Sequence, residues 1–215
     1  ILRGITIAGM ILVNNPGSWE HIYTPLRHAV WHGLTPTDLI FPFFMLIMGI
    51  STFISLRKYD FQFSQSLLQK IIKRTCIIFL IGLGLSWLSV SFATFHHLAN
   101  DGLGMGERLL RSITNFEHLR ILGVMQRLAI TYGIASLVAI LLNHRYIPYI
   151  IGASLLIYFL ILILGDGFEI SETNILAVVD QSILGTNHMF EEFGLDPEGI
   201  LSTIPFICHV LIGFC

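Results

Sequence analysis

Two histidines and an aspartate lie in a short polar loop directly before a long apolar run. Loop and run together span Leu26–Gly49 and contain His28, His32 and Asp38. Titratable groups at a membrane boundary are costly to bury, so they commonly serve a function there. A neutral imidazole can take a proton from an amine or attack an activated carbonyl. His28 is therefore a candidate base or acyl acceptor; the alternative is an interfacial histidine hydrogen-bonded beside Trp31.

Polar groups on both sides of this loop are the next candidates. Asn14 and Asn15 are followed by Pro16 and Gly17, which predicts that the two asparagines end the first helix before a turn. The functional alternative concerns Asn14. Its carboxamide could also donate hydrogen bonds to a carbonyl oxygen as charge builds on it. Thr35, Pro36 and Asp38 have the pattern of a helix start, with Thr35 as N-cap and Asp38 as the third helical residue. Asp38 in that position can also orient a nearby histidine.

Gln126 and Arg127 lie inside a predicted apolar helix, about two turns from its outer end. An arginine at membrane depth usually faces a cavity or a partner. A guanidinium suits a phosphate or a carboxylate, so these two residues are candidate ligands of an anionic group. The alternative is a buried ion pair, for example with Asp38.

The segment Asp196–Gly199 predicts the start of the last helix. In this interpretation Asp196 is the N-cap, Pro197 takes the first helical position, and Glu198 favours the positive helix end. The expected role of the segment is structural.

The composition predicts an integral membrane protein. Hydrophobic residues make up 54% of the chain and charged residues 12%, with a formal net charge of -2, whereas soluble domains carry roughly 25% charged residues. The negative net charge argues against a nucleic-acid partner. The three cysteines all lie in apolar runs, which argues against a disulfide framework. His28 and His32 are four residues apart, but alanine stands where an HExxH motif has glutamate, so no metal is predicted.

The predicted fold is all-α, a polytopic transmembrane helix bundle in a single domain over residues 1–215. Long apolar runs without strand-like alternation predict about six membrane helices. They are Ile1–Val13, Leu39–Leu56, Ile71–Val90, Ile121–Leu142, Tyr146–Leu164 and Leu201–Cys215. The first run is too short to cross a hydrocarbon core of about 30 Å, so we expect a domain truncated at both ends.

The basic residues predict the orientation of these helices. They mark one face as cytoplasmic: Arg3, Arg57, Lys58, Lys70, Lys73, Arg74 and Arg145. Three longer segments, residues 14–38, 91–120 and 165–200, then lie on the opposite, outer face with seven of the nine histidines. We therefore expect the chemistry on that outer face.

Four ordered blocks resemble a known family: VNN, then RHAVWHGLTPTDLIFPFFMLIMGIS, then RILGVMQRLAITY, and then LGTNH followed by DPEGILSTIP. Together they are similar to the heparan-α-glucosaminide N-acetyltransferase family and its bacterial relatives. The resemblance covers nearly the whole chain. It implies a fold of about eleven membrane helices, of which this chain would hold about six.

The resemblance also implies roles for individual residues. It implies acetyl-CoA as the donor, supplied from the cytoplasmic side, and the amine of a terminal glucosamine as the acceptor on the far side. The active histidine of the family maps to His28 and its asparagine to Asn14. His32 stands where the animal enzyme has asparagine, so no role transfers to it.

These features predict a membrane N-acetyltransferase in a bacterial inner membrane, with the long loops periplasmic. His28, Asn14 and Asp38 are the expected catalytic residues, and Arg127, Gln126, Lys73 and Arg74 the expected acetyl-CoA ligands. Direct transfer and an acetyl-histidine intermediate both stay open. The expected partners are an amino sugar and the lipid bilayer, with a homodimer left open. The alternative function is an amino-sugar transporter, with Pro42, Gly49 and Pro205 as helix breaks.

Overall fold

The computed structural model describes residues 2–18, 20–29, 31–100, 103–171, 173–190 and 195–215. Within these ranges the chain forms eight α-helices, joined by loops and short 3-10 turns. The helices are α1 (Leu2–Asn14), α2 (Pro36–Arg57), α3 (Gln65–His97), α4 (Met105–Ile113), α5 (Val124–Leu141), α6 (Ile147–Leu164), α7 (Ile175–Leu184) and α8 (Thr203–Phe214). The prediction of an all-α fold is confirmed.

All six predicted apolar runs form helices. Among the described residues, four helices are long and apolar enough to cross a membrane, namely α2, α3, α5 and α6. Helices α1 and α8 are apolar but shorter. Helix α3 is longer than predicted, because the Ser64 hydroxyl accepts the Leu67 N–H at 3.2 Å and starts the helix well before the apolar run.

Two helices lie in connections that were expected to be loops. Helix α4 packs on α3, where Arg108 Nε donates to the Phe95 carbonyl at 2.6 Å and its guanidinium lies 3.8 Å from the centre of the Phe95 ring. Helix α7 begins at a buried cap, where Asn174 accepts the Leu176 N–H at 2.9 Å. Both helices are short, so hydropathy over a membrane-length window does not reveal them.

The core forms around α8, which packs on α2, α5 and α6. Helices α2 and α8 come unusually close at two glycines. A Cβ on Gly49 would lie 2.0 Å from the Val210 carbonyl oxygen, and one on Gly213 would lie 2.0 Å from that of Leu46. Small residues commonly permit this close approach between membrane helices. Beside the crossing, Met45 is fully buried.

The helix breaks that a transporter interpretation needs are not found. Helix α2 continues through both Pro42 and Gly49. Pro205 is the third residue of α8, in the first turn, where the missing N–H leaves no intrahelical bond unmade. The breaks that the transporter alternative would place at these three positions are therefore absent.

The antiparallel order of the long helices determines what lies at each end of the bundle. One cavity is lined by Asn14 at the end of α1 and by Asp38, Arg120 and Ser202 at or just before the starts of α2, α5 and α8, so these helix ends lie together at one end of the bundle. We call it the cavity end, because a large cavity opens there. The predicted catalytic residues and Arg127 all lie in segments at this end.

Candidate active site

A histidine and an aspartate are in direct contact at the cavity end. His28 Nδ1 lies 2.6 Å from Asp38 Oδ1. With Asp38 ionised, Nδ1 carries the proton and donates it to the carboxylate. Nε2 then has a free lone pair, and no described residue bonds to it. The imidazole is exposed over 62% of its side chain, so Nε2 is open to a ligand.

Asp38 is held rigidly by the start of α2. Its Oδ2 accepts the Thr35 N–H and the Thr35 hydroxyl, both at 2.9 Å, and the Ala29 N–H at 3.3 Å. The Thr35 hydroxyl in turn accepts the Asp38 N–H, which completes a capping box. The predicted helix start is confirmed residue by residue. One carboxylate therefore caps α2 with one oxygen and orients His28 with the other.

His28, Asp38 and Asn14 line one cavity of about 600 Å³. Asn14 is the last residue of α1, as predicted. Its neighbour Asn15 instead donates from Nδ2 to the Ile11 carbonyl at 2.9 Å and does not line the cavity. The volume is within the usual range of roughly 300–1,000 Å³ for a small-molecule site. The structure thus brings the three predicted catalytic residues together.

The loop that carries His28 is tied to a distant part of the chain. Trp31 Nε1 donates to the Phe168 carbonyl at 2.7 Å, and Trp31 also lines the cavity. His32 does not line the cavity, and its ring lies edge-on to Trp31 with the ring centres 6.4 Å apart. The two histidines of the loop therefore differ in position, and only His28 borders the cavity.

Another part of the cavity wall is an ionic cluster. Arg120 donates to Asp196 Oδ1 at 2.8 Å and to Glu198 Oε2 in a second short contact. The Asp196 carboxylate is fully buried and also accepts two backbone N–H groups, those of Phe190 and Glu198, each at 2.9 Å. All three charged residues line the cavity. The sequence did not identify Arg120 or Glu198 as site residues.

Asp196 is not the N-cap of the last helix. Helix α8 begins at Thr203, with Ser202 as its N-cap residue. Residues 196–199 form a turn instead, in which the Gly199 N–H bonds to the Asp196 carbonyl at 3.0 Å. The prediction was wrong because the Asp196 carboxylate forms an ion pair with Arg120, which is 76 residues away in the sequence. The spacing of residues within one helical turn does not reveal such a distant partner.

Arg127 lies behind this turn and supports it. It is the fourth residue of α5, in the first turn and not two turns inside, because α5 begins only at Val124. Its side chain is buried and donates to the Pro197 carbonyl at 2.8 Å and to the Ser202 hydroxyl. The guanidinium also lies 4.5 Å from the centre of the Phe206 ring. The pairing with Asp38 that was considered as an alternative is absent, since Asp38 contacts His28.

Asp180 of α7 supports the same turn from another side. Its Oδ1 accepts the Ile200 N–H at 2.7 Å. Burial raises the pKa of the Asp180 carboxyl above its ordinary value; the nearby Asp196 adds to the rise, while the Ile200 N–H and Arg127 oppose it. A Cβ on Gly199 would lie 1.8 Å from Asp180 Oδ2, so any larger residue there would have to displace the Asp180 carboxylate.

The remaining predicted acetyl-CoA ligands lie outside the cavity. Gln126 is buried between α3 and α5, with its side-chain oxygen facing Gly82. Lys73 and Arg74 are exposed on α3, where the Arg74 guanidinium lies 4.7 Å from the centre of the Tyr132 ring. The structure does not bring these three residues to His28.

The cavity combines the imidazole of His28, the carboxamide of Asn14 and the carboxylate of Asp38, and each of the three lies on a different segment of the chain. Among the described residues, no three His, Cys, Asp or Glu side chains are grouped as metal ligands.

A signal for Glu198 existed in the DPEG motif, but its spacing suggested a helix start. No local pattern marks Arg120, whose importance comes from contacts across about 76 residues of chain.

Comparison with known proteins gives relatives of one kind. No protein-family model matches the chain. A human protein named heparan-alpha-glucosaminide N-acetyltransferase is 26% identical over 262 aligned residues, which cover 98% of this chain and 36% of the human protein. The mouse protein of the same name is 30% identical over 136 residues, covering 62% of this chain and 17% of the mouse protein.

The chain thus spans about a third of the length of the human relative. The similarity nevertheless extends over almost all of the present chain and includes the segments that build the cavity. The all-helical fold with four membrane-length apolar helices agrees with the resemblance seen in the sequence. The chain is therefore similar, over almost all of its length, to a protein named heparan-alpha-glucosaminide N-acetyltransferase, in agreement with the resemblance seen in the sequence.

Proposed function

We propose that this chain carries the active site of a membrane N-acetyltransferase that moves an acetyl group from acetyl-CoA to the amine of a glucosamine-type sugar. The observation that carries the proposal is the contact of His28 with Asp38 at the wall of a cavity that Asn14 also lines. A histidine oriented by a carboxylate is a common arrangement for proton transfer in acyl-transfer enzymes. The names of the human and mouse relatives support the reaction class.

In the proposed reaction, His28 acts first as a general base and then as a general acid. Asp38 keeps the proton of the neutral imidazole on Nδ1, which leaves Nε2 free to accept one from the acceptor amine. The amine nitrogen forms a bond to the thioester carbonyl carbon, and the carbon–sulfur bond then breaks. His28 returns its proton to the departing CoA thiolate. The products are an N-acetyl sugar and CoA with a free thiol.

Asn14 is proposed to stabilise the charged intermediate. Its side chain lines the cavity and has no partner among the described residues. The Nδ2 group can therefore donate to the oxyanion that forms as the carbonyl is attacked, and one such donor contributes a factor of about 10²–10³. The same donor would serve direct transfer and transfer through an acetylated His28. Burst kinetics would separate these two routes.

The donor and acceptor are proposed to enter from different sides. The only guanidinium among the described cavity-lining residues, Arg120, is already engaged by Asp196 and Glu198. The cavity is thus a poor site for the CoA phosphates, and only the thioester end fits beside His28. We propose that Lys73 and Arg74 bind the phosphates at the cytoplasmic side. The cavity then faces the periplasm of a bacterial inner membrane.

Replacing His28 in the full-length protein tests the proposal. Acetyl transfer from acetyl-CoA to glucosamine should fall by about 10²- to 10⁴-fold in His28→Ala, because the variant lacks the proposed general base. Binding of CoA should persist. His32→Ala is the matched control, since His32 lies in the same loop away from the cavity, and it should keep its activity. Turnover of His28→Ala close to the unmodified protein would refute the assignment.

A further inference from the structure

Among the described residues, three carboxylates line the cavity, and they differ in how many of their oxygens accept hydrogen bonds. Both oxygens of Asp38 are bonded, one to His28 and the other to Thr35 and Ala29. Both oxygens of Asp196 are also bonded, to Arg120 and to two backbone N–H groups. The oxygens of these two carboxylates therefore already accept hydrogen bonds from groups of the protein.

Glu198 is different, because only one of its two oxygens is used. Oε2 accepts from Arg120, whereas Oε1 has no partner among the described residues. The side chain is 18% exposed and lines the cavity. A carboxylate with one oxygen free of hydrogen bonds, at the wall of a ligand-sized cavity, can bind a ligand that donates hydrogen bonds.

The charge of the wall favours a cation as that ligand. Among the described lining residues there are three carboxylates and one guanidinium. The single guanidinium, that of Arg120, is shared by Asp196 and Glu198, so the three carboxylates outnumber it and the described wall stays net negative. A cationic group is attracted into such a cavity, and a phosphate or sulfate is repelled.

We infer that Glu198 binds the acceptor amine in its ammonium form, and that the cavity selects amines without an anionic group beside them. The inference rests on the proposed function and names the acceptor site within it. The bound ammonium loses one proton to solvent through the open cavity before attack. His28 takes the second proton as the new carbon–nitrogen bond forms.

Glu198 is held in place by surrounding groups. Arg120 contacts the side chain, and the turn that carries it is supported by Arg127 on the Pro197 carbonyl and by Asp180 on the Ile200 N–H. A side chain restrained before the ligand arrives loses little conformational freedom on binding. Arg120, Arg127 and Asp180 are therefore positioning residues for the proposed amine site.

Binding without turnover tests the inference. The full-length protein in nanodiscs is titrated by calorimetry with glucosamine, with neutral glucose and with glucosamine 6-sulfate, in the absence of acetyl-CoA. Glu198→Gln should weaken glucosamine binding by about 10- to 100-fold, since a charge-assisted hydrogen bond is lost. Its affinity for glucose should not change. The unmodified protein should prefer glucosamine to its 6-sulfate, and Glu198→Gln should reduce that preference.

Two further variants keep the result interpretable. Glu117→Gln is the matched control, because Glu117 is exposed and outside the cavity lining, and it should bind glucosamine normally. Glu198→Asp keeps the charge and should restore part of the affinity. Glucosamine binding by Glu198→Gln that equals that of the unmodified protein would overturn the inference, even if acetyl transfer is observed. Amine binding that depends on Glu198, without any acetyl transfer, would support the site and refute the proposed function.

Discussion

Asp38 performs two tasks, and replacing it with asparagine should separate them. In Asp38→Asn the amide oxygen can still accept the Thr35 and Ala29 N–H groups, so the start of α2 stays capped. The amide NH2 then faces His28 Nδ1 and donates to it. This forces the imidazole proton onto Nε2, the atom that must accept the amine proton. The variant should fold but should not catalyse.

The magnitudes of the two effects can be estimated separately. Loss of the correct tautomer removes general-base catalysis, which contributes about 10²- to 10⁴-fold, or about 2.7–5.4 kcal/mol of barrier at 1.36 kcal/mol per tenfold. The stability cost should stay below about 1 kcal/mol, because the capping hydrogen bonds remain. Activity should therefore fall by orders of magnitude while the melting temperature changes little.

Thr35→Ala provides the opposite perturbation. It removes the hydroxyl that accepts the Asp38 N–H and donates to Asp38 Oδ2, but it leaves the contact of Asp38 with His28. It should cost about 0.5–2 kcal/mol of stability, as N-cap replacements do, and retain most of the activity. Both variants are assayed for acetyl transfer to glucosamine and for thermal unfolding in the same detergent.

The reasoning would be refuted by either of two results. Asp38→Asn with kcat within about tenfold of the unmodified protein would show that the tautomer of His28 does not limit the reaction. Equal activity losses in Thr35→Ala and Asp38→Asn would show that Asp38 acts only by holding the end of α2.

Two more substitutions test the cavity wall and its support. Asn14→Ala should lower kcat by about 10²–10³-fold with little change in donor binding. Asn15→Ala is the control and should be nearly neutral, because the Asn15 side chain bonds back to its own helix. Equal effects of the two substitutions in the acetyl-transfer assay would contradict the assignment. Gly199→Ala should destabilise the protein by about 1–3 kcal/mol, because its Cβ would lie 1.8 Å from Asp180 Oδ2; an unchanged melting temperature would contradict this packing.

Local features that depend on nearby residues were predicted well. The start of α2 was predicted to the residue, because Thr35, Pro36 and Asp38 act on each other within one helical turn. The end of α1 at Asn14 was also predicted, since a Pro-Gly pair follows it closely. The six apolar helices follow from hydropathy, which is a property of each segment alone.

Features that depend on distant partners were predicted poorly. Asp196 was expected to cap a helix, but Arg120 binds it across the cavity wall. Arg127 was expected to meet a ligand or Asp38, but it holds the carbonyls of the turn before α8. In each case a charged side chain near the membrane needs a partner, and the sequence shows that need without showing which partner meets it.

The sequence by itself determined the six apolar helices, the capped start of α2 and the resemblance that singled out His28 and Asn14. Only the tertiary structure decided that Asp38 reaches His28, that Asn14 borders the same cavity, and that Glu198 has a free oxygen there. The physical reason is the sequence separation over which each interaction acts. Capping and hydropathy act within a few residues, whereas a cavity is formed by segments that meet only when the helices pack.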